Sequence, residues 1–345
     1  MKVLVTGGSG LVGKSIQDLI DDIPIGTVTQ YIFLSSKVCD LRDSVACEEL
    51  FLNGNFDIVI HLAAKVGGLY ANMDSNYNML IDNLKINTNI LENCKKYNVK
   101  RLINILSTCI FPEENASNNL VYPLTSDQIL NGKPHHSNSG YAHAKRMLYV
   151  GSKLLSNTSD IEVINLIPTN LYGKNDNYNI HNSHVIPGLI HKTFIAKENF
   201  DKNLCRSTDS FKSNGSLSKG ISTNCKLIIK GSGNAKRQFL YVDDFAKVIL
   251  HFINCILPKQ CNSLIVSPPK EQEITIKELV NSITKQFDFK GKIIYDTDYP
   301  DGQHLKTTDS NELLNFIPDF KFTSFREGLE ENITFFIDNY DSVRK

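Results

Sequence analysis

Short apolar runs alternate with longer amphipathic stretches along most of the chain, and that rhythm predicts its elements. Lys2-Val-Leu-Val-Thr6 is the first apolar run, and a helical pattern follows it to about Ile20. Tyr31-Ile-Phe-Leu34 is the second. Asp57-Ile-Val-Ile-His-Leu-Ala-Ala64, counted as the fourth, runs into a turn of small residues. A helix is expected over 79–97, a fifth strand over 101–106, a helix over 141–155 and a seventh apolar run over 162–167. Strand and helix alternating at this pitch predict an α/β fold of the Rossmann type, a doubly wound parallel sheet with ligands at the carboxyl ends of its strands.

Beyond residue 168 the pattern becomes mixed. A helix begins near His184, a strand and tight turn occupy 226–233, and Arg237-Gln-Phe-Leu-Tyr-Val-Asp-Asp244 leads into a helix to Leu257. A strand at 262–267, a helix over 274–287 opened by Thr275, a strand at 292–295, a turn at Asp301-Gly302 and an amphipathic helix over 325–340 complete the chain. Residues 196–224 are rich in Ser, Lys and Asn with almost no apolar pattern, and read as a mobile surface insertion. The division expected is a main domain over 1–167 and a smaller α/β lobe over 168–345, with some later segments returning to the first.

Composition narrows the classes. Lys+Arg and Asp+Glu are equal at 37 each, so no global field draws the chain to nucleic acid or a membrane surface. The 8 cysteines show no C-x-x-C pairing, and no secretory pattern follows Lys2, which together predict reduced thiols and a cytoplasmic setting. The longest apolar candidate for a membrane span, 248–257, is interrupted by His251 and Asn254.

Three stretches carry candidate chemistry. Gly7-Gly-Ser-Gly10-Leu11-Val12-Gly13 follows the first strand and opens a helix. Such spacing permits a tight turn, close approach of a pyrophosphate and close helix–strand packing, with helix N-terminal amides holding the phosphates. The second strand ends in Ser35-Ser36-Lys37, where an NAD site would want an acid for the ribose 2′-hydroxyl. Hydroxyls and a cation suit a 2′-phosphate better, so NADP(H) is expected. Asp40-Leu41 follows, either a solvated loop acid or, by its similarity to enzymes that contact adenine through an aspartate at this place, an adenine contact, and Leu62-Ala63-Ala64 leaves room for cofactor beside the backbone, with Lys65-Val-Gly-Gly68 extending that loop.

Tyr141 and Lys145 in Gly140-Tyr-Ala-His-Ala-Lys145 stand four apart, so on a helix they share a face. A nearby ammonium is expected to pull the tyrosine pKa down from about 10 towards neutrality. Ser107-Thr-Cys109 follows the fifth strand, and a serine there can donate to a substrate carbonyl. A lone cysteine is usually core, yet a thiolate beside a carbonyl can take a proton from the adjacent carbon. His184 at a loop-to-helix junction is by default solvated or capping, with His181 a nearby competitor. Arg237 can clamp a diphosphate bidentately or stand as a helix-flanking surface cation. No metal is expected.

With the glycine turn, Ser107 and Tyr141/Lys145, the chain resembles the extended short-chain dehydrogenase/reductase superfamily. Within it, Ser107-Thr-Cys-Ile-Phe-Pro, Pro168-Thr-Asn170-Leu-Tyr-Gly, Ser183-His-Val-Ile-Pro, Lys65-Val-Gly-Gly and Arg237-Gln-Phe resemble the GDP-L-fucose synthase family, over nearly the whole chain except 196–224. That resemblance implies NADPH as cofactor, a homodimer, and 3,5-epimerisation then 4-reduction of GDP-4-keto-6-deoxy-D-mannose. It implies Cys109 and His184 as the acid/base pair of epimerisation, Tyr141 as the proton donor in reduction, and Lys145 on the nicotinamide ribose. Pro168 falls beside the cofactor by the same likeness. Asn170 and Arg237 then contact the diphosphate, with Val185, Leu189, Lys230 and Asp301 at the nucleotide end.

Two departures fall at that end. Lys230 stands where relatives commonly carry tryptophan, which this chain lacks altogether, and Tyr299 stands where they carry a lysine. The rivals are a sugar-nucleotide 4,6-dehydratase or 4-epimerase holding NAD, and a non-catalytic dinucleotide sensor. Cys109 and Ser36-Lys37 argue against the first, and the presence of Ser107, Tyr141 and Lys145 together argues against the second.

Overall fold

The computed structural model describes residues 1–21, 29–114, 120–209, 226–255 and 262–345. β1 (Lys2–Thr6) leads through a glycine turn into α1 (Leu11–Asp21), then β2 (Gln30–Leu34), α2 (Ser44–Gly54) and β3 (Ile58–His61). A short α3 (Leu69–Asp74) precedes α4 (Asn76–Lys96), β4 (Arg101–Ile105), α5 (Ser139–Asn157) and β5 (Glu162–Pro168). The strand counted fourth from the apolar pattern is thus the third, because only two strands precede it among the described residues.

Five of these strands and a later one, β10, form a parallel sheet in the order β10-β5-β4-β3-β1-β2, with β10 spanning Asn262–Val266. Side-chain alternation explains why helices cover both faces. Val3 and Val5 of β1 pack with Phe245, Val248 and Phe252 in one buried cluster, while Leu4 between them packs with Phe51, Ile86 and Ile90 in another. The chain leaves β1 to one side for β2 and returns to the other for β3, so the order reverses beside β1. A crevice opens at such a switch point, outside the carboxyl ends of the strands.

The smaller α/β region is built from β6 (Asn170–Tyr172), α6 (Val185–Asp209), β7 (Lys226–Lys230), β8 (Lys236–Arg237) and β9 (Phe239–Tyr241). After α7 (Val242–Asn254) and β10, which belong to the large sheet, it resumes with β11 (Ile274–Thr275), α8 (Ile276–Gln286) and β12 (Lys292–Asp296). α9 (Asn311–Phe316) packs against β10, and α10 (Phe325–Asp338) against β9. Two-stranded pairings β6–β9, β7–β12 and β8–β11 hold this region, around a core that includes Tyr178, Ile190, Leu279 and Phe336. Thr275 caps α8 as expected, in a reciprocal pairing with Glu278.

Two expectations need correction. α6 continues to Asp209, so the first part of 196–224 is helix and not irregular insertion; 210–224 lies outside the described residues. Ion pairs one turn apart, Lys197–Asp201 at 2.8 Å and Glu198–Lys202 at 3.2 Å, support a helix there without an apolar stripe. α7 ends at Asn254, and Leu257 lies outside the described residues.

Candidate active site

At the carboxyl end of β1 the chain turns at Gly7 with φ +68°. A side chain there would be strained, and its Cβ would stand 2.9 Å from the Ala63 nitrogen after β3. Gly13 on α1 is equally constrained, since a Cβ would meet the Gly8 backbone at 2.6 Å. The two glycines let the helix, both strand ends and a ligand crowd together.

A directional network runs beneath this cradle. Ala63 N–H donates to Thr6 Oγ1 at 3.1 Å, and Thr6 lies 3.0 Å from His61 Nδ1. His61 Nε2 meets Asn87 Oδ1 at 3.1 Å, and Asn87 donates to the Ala144 carbonyl on α5 at 3.2 Å. With Asn87 Nδ2 committed as donor, its Oδ1 accepts, so His61 carries its proton on Nε2 and accepts from Thr6 at Nδ1. Burial first, and then the charge on Lys145, holds the His61 pKa down to about 3. His61 was read only as part of an apolar strand; nothing in that run marks it as a strut to the helix of Tyr141 and Lys145.

β4 delivers Ser107 in extended backbone, and its Oγ accepts the Cys109 N–H at 3.2 Å across a short 3-10 turn. Tyr141 and Lys145 lie one turn apart on α5, with the ammonium 5.9 Å from the phenol ring centroid. Lys145 is buried and donates to the Ile105 carbonyl at 2.6 Å. Burial lowers its pKa to about 8. The expected lowering of Tyr141 is not what the structure shows. Burial, and after it the charge of Cys109, push the phenol well above its ordinary range, with only a Ser107 hydrogen bond opposing. Desolvation outweighs a lysine whose charge is directed at a backbone carbonyl. Tyr141 is therefore a phenol, a proton donor.

Ser107, Cys109, Tyr141, Lys145 and His184 all line one cavity of about 1150 Å³. Cofactor candidates from Gly7 to Pro168 line it too, except Lys37, which is exposed outside the lining. Arg42 is there instead, paired with Asp40 at 2.7 Å and with Asp82 at 3.5 Å. The Asp40 carboxylate is thereby occupied, and its pKa is held at about 2 by the Arg42 hydrogen bonds.

Asn170, Val185, Leu189, Lys230, Arg237 and Asp301 line the same cavity. Asn170 donates to the Gln238 carbonyl at 3.1 Å, and Asp301 accepts from Ser232 N and Oγ at 2.9 and 2.6 Å, pinning the turn after β7. The Lys230 ammonium sits 4.4 Å from the Tyr70 ring centroid and 4.2 Å from that of Tyr299. The two departures at 230 and 299 thus face each other as cation and ring. Lys192, Lys306 and Arg344 join Lys230 and Arg237 in the lining, so a chain of zero net charge places several cations around this cavity. Lys192, Arg344, Tyr70, Arg42 and Lys306 went unread in the sequence because each reaches the site from a loop or helix without a motif. His181 and His184 are exposed at the cavity rim, with the buried Asp176 carboxyl beside His184.

Glu113, His135 and His136 bring ligand-capable atoms within 4.8 Å of one another. His135 Nδ1, however, accepts the Ser137 N–H, which puts the ring proton on Nε2 facing Glu113. The trio reads as an imidazole–carboxylate brace at the entry to α5.

Comparison with known proteins decides what this geometry belongs to. A sequence model of the NAD dependent epimerase/dehydratase family matches residues 3–259. The chain belongs to this family. Among its curated relatives, GDP-L-fucose synthase of Dictyostelium discoideum is 38% identical over 343 residues, covering 99% of this chain and 97% of that protein. A probable GDP-L-fucose synthase of Drosophila melanogaster is 35% identical, covering 100% and 99%. A crystal structure of a GDP-L-fucose synthetase from Naegleria fowleri bound to NADP superposes with a TM-score of 0.84 at 34% identity, covering 100% of this chain and 95% of that one. Across the family's sheet, then, the glycine cradle and the Ser107/Tyr141/Lys145 cluster open into one cavity.

Proposed function

We propose that the protein is a GDP-L-fucose synthase, converting GDP-4-keto-6-deoxy-D-mannose to GDP-L-fucose by 3,5-epimerisation and NADPH-dependent reduction at C4. The observation that carries this reading is that Cys109 and His184, the proposed epimerisation pair, open onto the same cavity as Ser107, Tyr141 and Lys145. The cofactor fits the residues present: Gly7 and Gly13 leave space that a Cβ would fill, and Ser36 and Arg42 line the end suited to a 2′-phosphate. Lys145 would hold the nicotinamide ribose, and Leu62, Ala63 and Pro168 would border the ring. NADPH, when bound, supplies the hydride for C4.

The chain's own residues do the rest. The C4 ketone acidifies the hydrogens on C3 and C5, and Cys109 as thiolate removes each in turn, giving the first proton up to solvent, from which His184 regains its own, before the second inversion. His184 returns a proton on the opposite face, which inverts the centre. Ser107 and Tyr141 hydroxyls donate to the C4 oxygen while it carries enolate charge, a preorganised oxyanion site. In reduction Tyr141 gives its proton to that same oxygen. Its raised pKa keeps the proton available until charge develops on the substrate. Arg237, Lys192 and Lys230 would neutralise the diphosphate, with Asn170, Val185, Leu189 and Asp301 shaping the nucleotide end.

The protein would act as a cytoplasmic homodimer. Among the described residues, Cys39, Cys47, Cys94 and Cys109 are free thiols and no helix is long and apolar enough to cross a membrane. Met147 and Leu154, two turns apart on α5, and Tyr77 on α4 expose apolar side chains on the packed α4–α5 pair, a face that a second copy would cover.

The test is nicotinamide absorbance with purified protein, NADPH and GDP-4-keto-6-deoxy-D-mannose, with product identified by chromatography. Wild type is expected to oxidise NADPH and yield GDP-L-fucose. Cys109→Ser should yield no GDP-L-fucose, and Tyr141→Phe should exchange C3 and C5 hydrogens with deuterated solvent while failing to reduce. Absence of NADPH oxidation by folded, cofactor-bound wild type would end the reductase reading.

A further inference from the structure

A base that takes a proton from carbon must first lose its own, and an ordinary thiol with a pKa of about 8.5 is mostly protonated near neutrality. The groups facing Cys109 come from four places. Ser107 ends β4, Tyr141 stands on α5, Arg237 on β8, and Lys306 on the loop between β12 and α9. Ser107 and Tyr141 are uncharged hydroxyls. His184 lies beside the buried Asp176 carboxyl instead.

Lys306 Nζ lies 4.0 Å from Cys109 Sγ as its donor. Burial lowers its pKa, the neighbouring Cys109 opposes that and Arg237 adds to it, and among the described residues no carboxylate forms an ion pair with it. Arg237 in turn spends a guanidinium N–H on the Lys236 carbonyl at 2.6 Å. Two cations therefore stand near the thiol, with the Glu273 and Asp301 carboxylates acting on Arg237 from the other side. The backbone around Lys306 is pinned on both sides. Gln303 Nε2 donates to the Pro112 carbonyl at 3.4 Å, Thr307 Oγ1 to Glu273 at 2.6 Å, and Thr308 N–H to Gln238 at 2.8 Å. The ammonium is thus built into place before any substrate arrives.

We propose that Lys306 is a positioning residue for the chemistry at Cys109, its ammonium donating to the sulfur and favouring the form of that side chain that accepts a proton from carbon. This rests on the reading of Cys109 as the base of epimerisation. It also separates two jobs that a single histidine cannot share: Lys306 supports the base, and His184 is left to deliver protons.

The experiment is iodoacetamide alkylation of the Cys109 peptide followed by mass spectrometry across pH, in substrate-free wild type, Lys306→Met, Lys306→Gln and Lys306→Arg. An opposite charge at this range favours the ionised form of its neighbour, so alkylation at pH 7 should fall about tenfold in Lys306→Met. Lys306→Arg should recover most of it, and solvent deuterium exchange at C3 and C5 should fall through kcat more than through KM. An unchanged alkylation midpoint in folded Lys306→Met or Lys306→Gln overturns the proposal, and a rise in KM alone would then mark Lys306 as a substrate cation. Alkylation needs no substrate. A wild type that shows the lysine-dependent midpoint but makes no GDP-L-fucose would therefore overturn the functional reading and leave the Lys306–Cys109 pairing standing.

Discussion

Acid should loosen this protein through His61. The ring is fully buried, its two nitrogens are committed to Thr6 and Asn87, and its pKa is held down to about 3 from 6.5. Below pH 6.5 the unfolded chain gains a proton at His61 that the folded chain refuses until about pH 3. The contribution is therefore complete above 6.5 and is lost as pH falls towards 3, because the unfolded state binds more protons across that window. Over the whole window it amounts to about 5 kcal/mol, and between pH 7 and pH 5 to about 2 kcal/mol. His61→Gln removes the titration. It also lowers stability at every pH by about 1–3 kcal/mol, because the Thr6 and Asn87 groups lose part of their pairing. Urea unfolding of wild type and variant at pH 7 and pH 5 isolates the effect, since every other titrating group is common to both. Wild type should lose about 2 kcal/mol more than His61→Gln over that interval. Equal losses would refute the buried, neutral imidazole, and with it the strut from β3 to α5.

Three other outcomes follow from the geometry. Gly7→Ala forces a Cβ against Ala63 at positive φ, so NADP(H) affinity should drop at least tenfold by fluorescence titration; unchanged affinity would remove the cradle argument. Lys230→Ala breaks two cation–ring contacts at the nucleotide end and should raise KM for the nucleotide sugar about tenfold with kcat little changed, whereas a fall in kcat alone would place Lys230 elsewhere in the cycle. Leu154→Glu puts charge on the exposed α5 face; light scattering should show dimer giving way to monomer, and a monomeric wild type would dismiss that face as an interface.

What could be read from the sequence was chemistry whose geometry is local. Gly7 to Gly13 fixes its own turn, Tyr141 and Lys145 are paired by helix pitch alone, and Val3-Leu4-Val5 declares both faces of a covered sheet. Local pattern failed where polar pairing replaced apolar periodicity, as in α6 beyond Ala196. It failed again for partners brought from afar. Lys306 is 197 residues from Cys109 along the chain, and Arg42 displaces Lys37 at the cavity although both follow the same strand. The most instructive miss is Tyr141. Proximity of Lys145 in sequence argued for a lowered pKa, but proximity says nothing of burial, and burial decides the sign. That reversal makes better chemistry than the expectation did. Ketone reduction needs an acid that keeps its proton, while carbon deprotonation needs a base that can take one. Desolvation at Tyr141 serves the first, and the Lys306 ammonium stands against the Cys109 sulfur proposed for the second, within one cavity. A site that must lend a proton and take one in successive steps needs that separation more than it needs either group near neutrality.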